Sequence, residues 1–567
     1  MPRSPSARTL NWFPFLTLAV LIGPVVAGLA GTLLPAFGYL PALGGTSLNL
    51  GPWRELFELP GFWTSARLSL VTGLAITAGS LGVVAAFCAA WEGTRWFRWT
   101  ERFLTPLLSV PHVAVAFGIA FLVMPSGWIV RMLSPWATGF HRPPDWMTVQ
   151  DPQGISLVLG LIAKEVPYLL LMTVAAMGQV DAERSRTVAL TLGYGPMTAW
   201  FKVVFPRVYP LIRLPVLAVL AYGMSVVDVA LVLGPTTPAT LPVRLVQLFN
   251  DPDLSLRFVA SAGGCFQTLL VAAGIALWCG AEWALRHWGT RWIAAGRRCP
   301  QDRAARVVAG LVLASSSLAV VLAMLAMALW AFASSWRFPD LWPSGMSLAN
   351  WKYHLDALGP ALENTITIAS GATAVAVILS VGVLEQEARS GRRAWAFSGG
   401  SLYLPLVLPQ VAFLFGAQIL LLIMGLGGNQ FVLVWMHLVF VFPYVFLCLS
   451  DPYRAWDERY QRTAWCLGAT PLRTFFRIKA PMLLRPILNA AAIGFLVSVG
   501  LYLPTLLLGG GRYPTITTEA VTLTSGGDPR LIGLYALLQM ALPFLLFVVV
   551  ALLVGLRFRH RRGMHSS

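Results

Sequence analysis

The sequence predicts an all-α polytopic membrane protein, and three observations carry that prediction. Apolar runs of roughly 20 residues recur along the whole chain, the length an α-helix needs to cross a hydrocarbon core. Only 11% of the 567 residues are charged and 57% are hydrophobic, with a mean hydropathy of +0.70, so lipid is the solvent for most of the surface. A basic, helix-prone stretch at 183–206 returns in register at 458–481. Lipid offers backbone groups no hydrogen-bond partner and no alternating barrel pattern is present, so the spans are helices.

Twelve runs qualify as spans. In the first half they are residues 12–34, 68–91, 103–123, 155–177, 211–233 and 259–283. In the second they are 307–332, 366–384, 402–424, 431–449, 487–508 and 531–556. The first run follows Arg3 and Arg8 like a secretory signal, but it is too long for a signal core and is read as a span.

The net charge of +17 raises the question of nucleic acid. The basic residues argue against that partner, because they fall in short segments on alternate sides of apolar runs instead of on one soluble face. Arg95, Arg98 and Arg102, both repeated stretches, and residues 286–306 share one side. So do Arg389, Arg392 and Arg393 and the tail Arg557, Arg559, Arg561 and Arg562. The positive-inside bias makes that side cytoplasmic, with both termini on it. The outer loops carry Trp53, Trp63, Trp128, Trp136 and Trp146, which suit the membrane–water boundary. Cys88, Cys265, Cys279, Cys299, Cys448 and Cys466 form no CxxC pair, so neither a disulfide framework nor a metal site is expected.

Repetition extends beyond the loops. Pro111 to Gly118 in the third run is echoed by Pro409 to Gly416 in the ninth, and Pro167-Tyr168 by Pro443-Tyr444. Leu233-Gly234 and Leu508-Gly509 close the fifth and eleventh runs. The expected architecture is two parallel six-helix units related by a pseudo-twofold axis along the membrane normal. They cover residues 1–295 and 306–567, with a cytoplasmic connector at 296–305.

The paired stretches share Glu183/Glu458, Ala189/Ala464, Gly193/Gly468, Phe201/Phe476 and Pro206/Pro481. Each glutamate opens a short helix, where a carboxylate suits the positive end. Ala189 and Gly193, like Ala464 and Gly468, are four apart and share a face, which reads as a smooth strip for another protein's backbone. The glycines then permit a turn. Phe201 and Phe476 offer one large anchor each, and Pro206 and Pro481 end the helix before the membrane. A connector lying on lipid headgroups would not need this Gly–Pro spacing twice.

These stretches resemble the EAA loop of bacterial ABC-importer permeases. Ala189, Gly193 and Pro206, and Ala464, Gly468 and Pro481, stand at the family spacing. Thr187 and Arg462 replace its acidic residue, and Val188 and Thr463 its first alanine. Two units in one chain resemble the fused permeases of thiamine, ferric-iron and related importers. The resemblance implies a bacterial inner-membrane subunit whose loops each seat in a cytoplasmic ATPase, two ATPases in all, and which receives its solute from an extracytoplasmic binding protein. It also implies that ATP and magnesium belong to the ATPase and that this chain holds no cofactor and catalyses nothing; no GxxxxGK[ST] motif is present. Thiamine is the first expectation for the cargo and ferric iron the next.

Polar residues inside runs are expensive in lipid and mark a candidate translocation path. They are Lys164, Glu165, Asp228, His112 and Gln410, with Lys164 and Asp228 as one candidate pair across helices. Alternatively, Asp228 and Glu165 would serve a secondary transporter driven by an ion gradient, a reading that does not require the paired loops.

Overall fold

The computed structural model describes residues 12–391 and 404–558. Arg3, Arg8, Arg392, Arg393, Arg559, Arg561, Arg562 and the first two residues of the ninth run lie outside the described residues. Its principal helices begin with α1 (Phe13–Ala36), α2 (Phe62–Trp91), α3 (His112–Val123) and α4 (Ile155–Gln179). The first loop carries α5 (Ala182–Thr191), and α6 (Phe205–Ser225), α7 (Asp228–Leu233) and α8 (Leu256–Ala294) follow. Next come α9 (Arg303–Phe332), α10 (Leu355–Ser390), α11 (Gln410–Ile423) and α12 (Gln430–Arg454). The second loop carries α13 (Arg459–Cys466), and α14 (Leu484–Val499), α15 (Leu503–Gly509) and α16 (Pro529–Phe558) complete the chain.

Ten helices among the described residues are long and apolar enough to cross a membrane, and an eleventh forms if the pair Pro471–Met482 and Leu484–Val499, bent by 72°, is one span. The shortfall from twelve lies in the ninth run, whose helix Gln410–Ile423 is short, and in the eleventh, which belongs to the bent pair. The third run is counted over His112–Leu133 but starts late: α3 is 12 residues, preceded by a 3₁₀ turn over Thr105–Ser109. Pro106 and Pro111 lack the N–H groups that would bond the preceding turns. In the ninth run Pro409 separates Leu404–Val407 from the 14-residue α11. The fifth and eleventh runs also break, at Val226–Val227 and Gly500–Tyr502.

The breaks leave backbone groups that must find partners inside the protein. Lys164 Nζ donates to the carbonyls of Leu107 and Leu108, at 3.2 and 3.3 Å, where the third run is interrupted. Arg131 does the same across the two halves. Its guanidinium donates to the carbonyls of Arg337 (2.6 Å), Asp340 (3.0 Å) and Trp336 (3.3 Å) and lies 4.9 Å over the Trp336 ring.

The halves exchange contacts through their first and third helices: α1 packs on α11, and α9 packs on α3. Both contacts close on a glycine the sequence repeats. A Cβ on Gly118 would sit 2.6 Å from the carbonyl oxygen of Ala323 in α9. On the other side Gly416 meets the backbone of Gly28 and Gly31, and a Cβ on Gly31 would sit 2.7 Å from the Gly416 carbonyl oxygen. Thr32 Oγ1 accepts the Gly416 N–H at 2.9 Å. Lipid gives helices no hydrophobic reason to associate, so close backbone approach over small residues supplies the attraction.

That contact predicts a ranked effect of added bulk. Gly416→Leu and Gly118→Leu each destabilise the solubilised protein by about 1–3 kcal/mol or more, as overpacking against unyielding backbone does. Gly23→Leu, where nothing lies within 4 Å, leaves thermal unfolding unchanged. Equal unfolding temperatures for the three variants contradict the account.

Candidate functional site

The two loops fold alike residue for residue. Helix α5 ends on Gly193 at φ +82° and α13 on Gly468 at φ +78°, the left-handed region where a Cβ is strained. Tyr194 N donates to Ala189 O at 3.3 Å and Gly193 N to Leu190 O at 3.0 Å. In the second loop Ala469 N donates to Ala464 O and Gly468 N to Trp465 O, both at 3.0 Å. This pair of bonds is the Schellman closure of a helix. Pro196 and Pro471 then open the next short helix at its first position, where a missing N–H costs nothing.

Each of those helices widens into one π turn, over Trp200–Val204 and Phe475–Lys479. The next residue but one is Pro206 or Pro481, which cannot donate to the turn behind it. Widening lets Phe205 N reach Trp200 O and Ala480 N reach Phe475 O, so the chain bends without abandoning its hydrogen bonds. The π turns were not legible in the sequence, although the doubled proline spacing is their cause.

The outward surface differs from the expected alanine strip. Ala189 and Ala464 are each 4% exposed and point into the protein, because they anchor the Schellman closure from beneath. The exposed positions are Leu192 at 57% and its counterpart Leu467 at 82%, beside Val188 and Trp465. Phe201 is half-buried against the rings of Trp200 and Phe205, at 5.3 and 5.9 Å, so only Phe476, 67% exposed, is a free anchor. Glu183 lies exposed in the first turn of α5. Glu458 stands just before α13, makes no capping bond and pairs with Arg462 at 3.2 Å. Pro206 is exposed and Pro481 partly so.

The loops are anchored differently. The connector lies on the first: Arg298 O accepts from Gly195 N at 2.9 Å, and Asp302 Oδ2 accepts from Met197 N at 2.8 Å. Asp302 thereby caps the helix that in the second loop is capped by its own Thr470, through Arg473 N at 3.4 Å. Lys202 is buried with its Nζ 4.7 Å over Trp292 and 5.3 Å over Tyr194. The second loop rests on charge instead. Lys479 Nζ meets Glu385 at 2.8 Å, and the same carboxylate takes bonds from Tyr453 at 2.6 Å and Arg389 at 2.8 Å. Neither Asp302 nor Glu385 was singled out from sequence, where each reads as one more charge near a basic loop.

At the end of α2, Glu92 receives Arg186 Nη1 on its carbonyl at 2.7 Å. Burial pushes the Glu92 carboxyl above the usual range, Arg186 opposes that, and Glu183 adds to it.

Deeper in the protein, Glu165 pairs with His112 at 3.0 Å. Lys164 and Asp228 do not pair, because Lys164 is held by the Leu107 and Leu108 carbonyls. Asp228 is not mid-helix: it is the first residue of α7, at the break in the fifth run, and its Oδ1 accepts Val229 N at 2.9 Å. Gln410 opens α11, half-buried, and joins none of these bonds.

The described residues form a helical bundle with membrane-length apolar helices, twin structured loops and no strand, the architecture of a polytopic membrane protein. No protein-family profile matches the chain. It is 31% identical over 539 residues to the inner membrane ABC transporter permease protein YnjC of Escherichia coli, covering 94% of this chain and 96% of that one. The putrescine transport system permease protein PotI of Escherichia coli is 28% identical over 242 residues, 40% of this chain and 83% of its own. The molybdenum transport system permease protein ModB of Azotobacter vinelandii is 28% identical over 176 residues, 29% of this chain and 78% of its own. The chain belongs to the ABC transporter permeases.

Two outcomes follow from the loop geometry. Asp302→Ala removes a helix cap, worth about 0.5–2 kcal/mol, so amides of residues 195–204 exchange roughly 2- to 30-fold faster while 470–479 are unaffected. Hydrogen-exchange mass spectrometry reads both loops at once, and equal change in the two contradicts the connector's role. Glu92→Gln keeps the neutral form that burial favours. Its stabilising effect is absent below the ordinary carboxyl pKa, grows as pH rises through the elevated one, and stays constant above. Thermal unfolding from pH 4 to 8 measures it, and a Gln variant less stable at pH 8 contradicts the assignment.

Proposed function

We propose that the chain is the fused transmembrane subunit of an ATP-driven importer in a bacterial inner membrane, with both termini in the cytoplasm. Residues 1–295 and 306–567 act as two permease units joined by the connector at 296–305. The proposal is supported by the coverage of PotI and ModB, each of which matches most of itself to less than half of this chain. Two ATPase subunits, which carry ATP and magnesium, bind the two loops, and a binding protein delivers the solute from the far side. The chain itself has no ATPase site.

One observation carries this reading. Two loops of the same Schellman–proline–π design present an exposed leucine in register, Leu192 and Leu467, where an unpartnered apolar side chain gains nothing from water. Glu183, Ala189, Gly193, Phe201 and Pro206, with Glu458, Ala464, Gly468, Phe476 and Pro481, shape or flank that surface. The alanines and glycines hold it, and the leucines with Phe476 meet the ATPase. Closure of the ATPases on ATP then moves the loops together and biases the bundle between two states. Lys164, Glu165, Asp228, His112 and Gln410 belong to the route through the bundle. For the cargo, thiamine is the first candidate and ferric iron the next. The relatives' names point to different solutes, putrescine and molybdenum.

The test is uptake by the chain reconstituted with its ATPase and binding protein. Leu192→Asp with Leu467→Asp, or Gly193→Val with Gly468→Val, lowers ATP-driven uptake at least about tenfold, because a desolvated charge or a strained turn spoils docking at both sites. Membrane insertion is unaffected. Uptake driven by a proton gradient with no ATPase present establishes the secondary transporter in its place.

A further inference from the structure

Resting on the importer reading, we propose that His437 is a positioning residue for translocation: it clamps the bend of the broken eleventh run and leaves the bend of the fifth to take the movement. Both breaks share one support. Gln267 of α8 donates from Nε2 to the carbonyl of Met224 at 2.8 Å, just before the break in the fifth run. Gln539 of α16 donates to Thr517 Oγ1 at 2.7 Å, and that hydroxyl donates to the carbonyl of Val499. Met224 and Val499 are equivalent in the register of the two loops. The last helix of each half therefore answers the same carbonyl, one that a continuous helix would have paired with the amide four positions on.

His437 makes a second connection, in the second half alone. From α12 its Nδ1 lies 2.8 Å from Ser498 Oγ, in the last turn of α14, and its Nε2 lies 2.9 Å from Thr505 Oγ1, in α15. All three residues are buried. The Thr505 hydroxyl also donates to the carbonyl of Leu501, inside the break, at 3.2 Å. Its one hydrogen is used there, so it accepts from the Nε2–H, and Nδ1 accepts from the Ser498 hydroxyl. One imidazole thus joins the segments on the two sides of the break, and every hydrogen from Ser498 through His437 and Thr505 to Leu501 has an acceptor.

The first half does not carry the chemistry for this clamp. Counted from the shared Pro-Tyr step, His437 stands where the first half has Leu161. In the loop register Ser498 and Thr505 stand where it has Gly223 and Ala230. None of these three has a side-chain donor or acceptor, yet the fifth run breaks at the same place. The bend therefore forms without a histidine, and what His437 supplies is a fixed angle between α14 and α15. Pulling them apart would leave buried polar groups unpaired and out of reach of water. Across the fifth run the two segments are held from different elements. Met224 in α6 is held by Gln267, whereas the end of α7 is held at Leu233 O, which accepts from Gln150 N at 3.1 Å and from Ser156 Oγ at 2.7 Å. Bending between α6 and α7 breaks neither set.

The test has two arms, both on the full chain. In nanodiscs without ATPase, spin labels at Leu214→Cys and Thr237→Cys span the first break, and labels at Asn489→Cys and Arg512→Cys span the second at equivalent positions, on a background without the six native cysteines. Electron–electron distance measurements give a narrower distribution across the second break than across the first. His437→Leu, the first half's own residue, widens the second distribution to match and leaves the first unchanged. In proteoliposomes with the ATPase and binding protein, His437→Leu lowers the maximal rate of ATP-driven uptake about fivefold or more, the effect of one lost buried hydrogen bond. The half-saturating concentration of binding protein is unchanged, and His437→Gln, which still donates and accepts, recovers most of the rate. If His437→Leu does not fold, Thr505→Val removes one bond at constant shape and carries both arms. Equal distributions in the unmodified chain, a second break indifferent to these variants, or undiminished uptake overturns the inference. The distances need no ATPase, so a chain that shows the clamp but no ATP-driven uptake refutes the importer reading and keeps the clamp.

Discussion

Close contact between glycine backbones in lipid is the interaction on which the remaining structure depends. Gly416 lies directly on Gly28 and Gly31, and Gly118 on Ala323, so the first helix of each half is held by the third helix of the other. Each first helix also packs within its own half, α1 on α8 and α9 on α16, so it joins the two halves. A bilayer supplies no hydrophobic force to hold helices together, so only residues without side chains let α1 and α11 come near enough for dispersion and the Thr32–Gly416 bond to act.

From that frame the twin loops hang at corresponding places, yet they are not mechanically alike. Their shapes coincide down to the π turn, which follows from the same Gly–Pro spacing. Their supports do not. The first is strapped by the connector through Arg298 and Asp302, and the second stands on Glu385, Lys479, Tyr453 and Arg389. In the register of the two loops the position of Lys479 is Val204, which is buried and apolar. A buried ion pair contributes little net stability but penalises any geometry that separates its members. A covalently tethered strap tolerates more sliding. The two loops therefore share a turn design and differ in what supports each of them.

The runs break in register, with Val227 and Tyr502 as equivalent residues before α7 and α15, but the helices that follow begin differently, with Asp228 after one break and Leu503 after the other.

The sequence by itself determined the class of protein, most of the apolar runs that form membrane-length helices, and the position and turn chemistry of both loops. Those are properties of hydropathy and of Gly and Pro backbone preferences, which act over a few residues. It misled where direction mattered: Ala189 and Ala464 were legible as a helical face, but which way that face turns depends on what lies beneath it. Lys164 and Asp228 invited pairing by charge alone, whereas the proline break at the third run had already supplied Lys164 with two carbonyls. Only the tertiary structure decided the crossing of α1 and α9 between halves and the strap of Asp302 over the first loop. These join residues from 105 to more than 380 positions apart, and no local rule reaches that far, because what brings them together is the packing of whole helices and not the preference of any one residue.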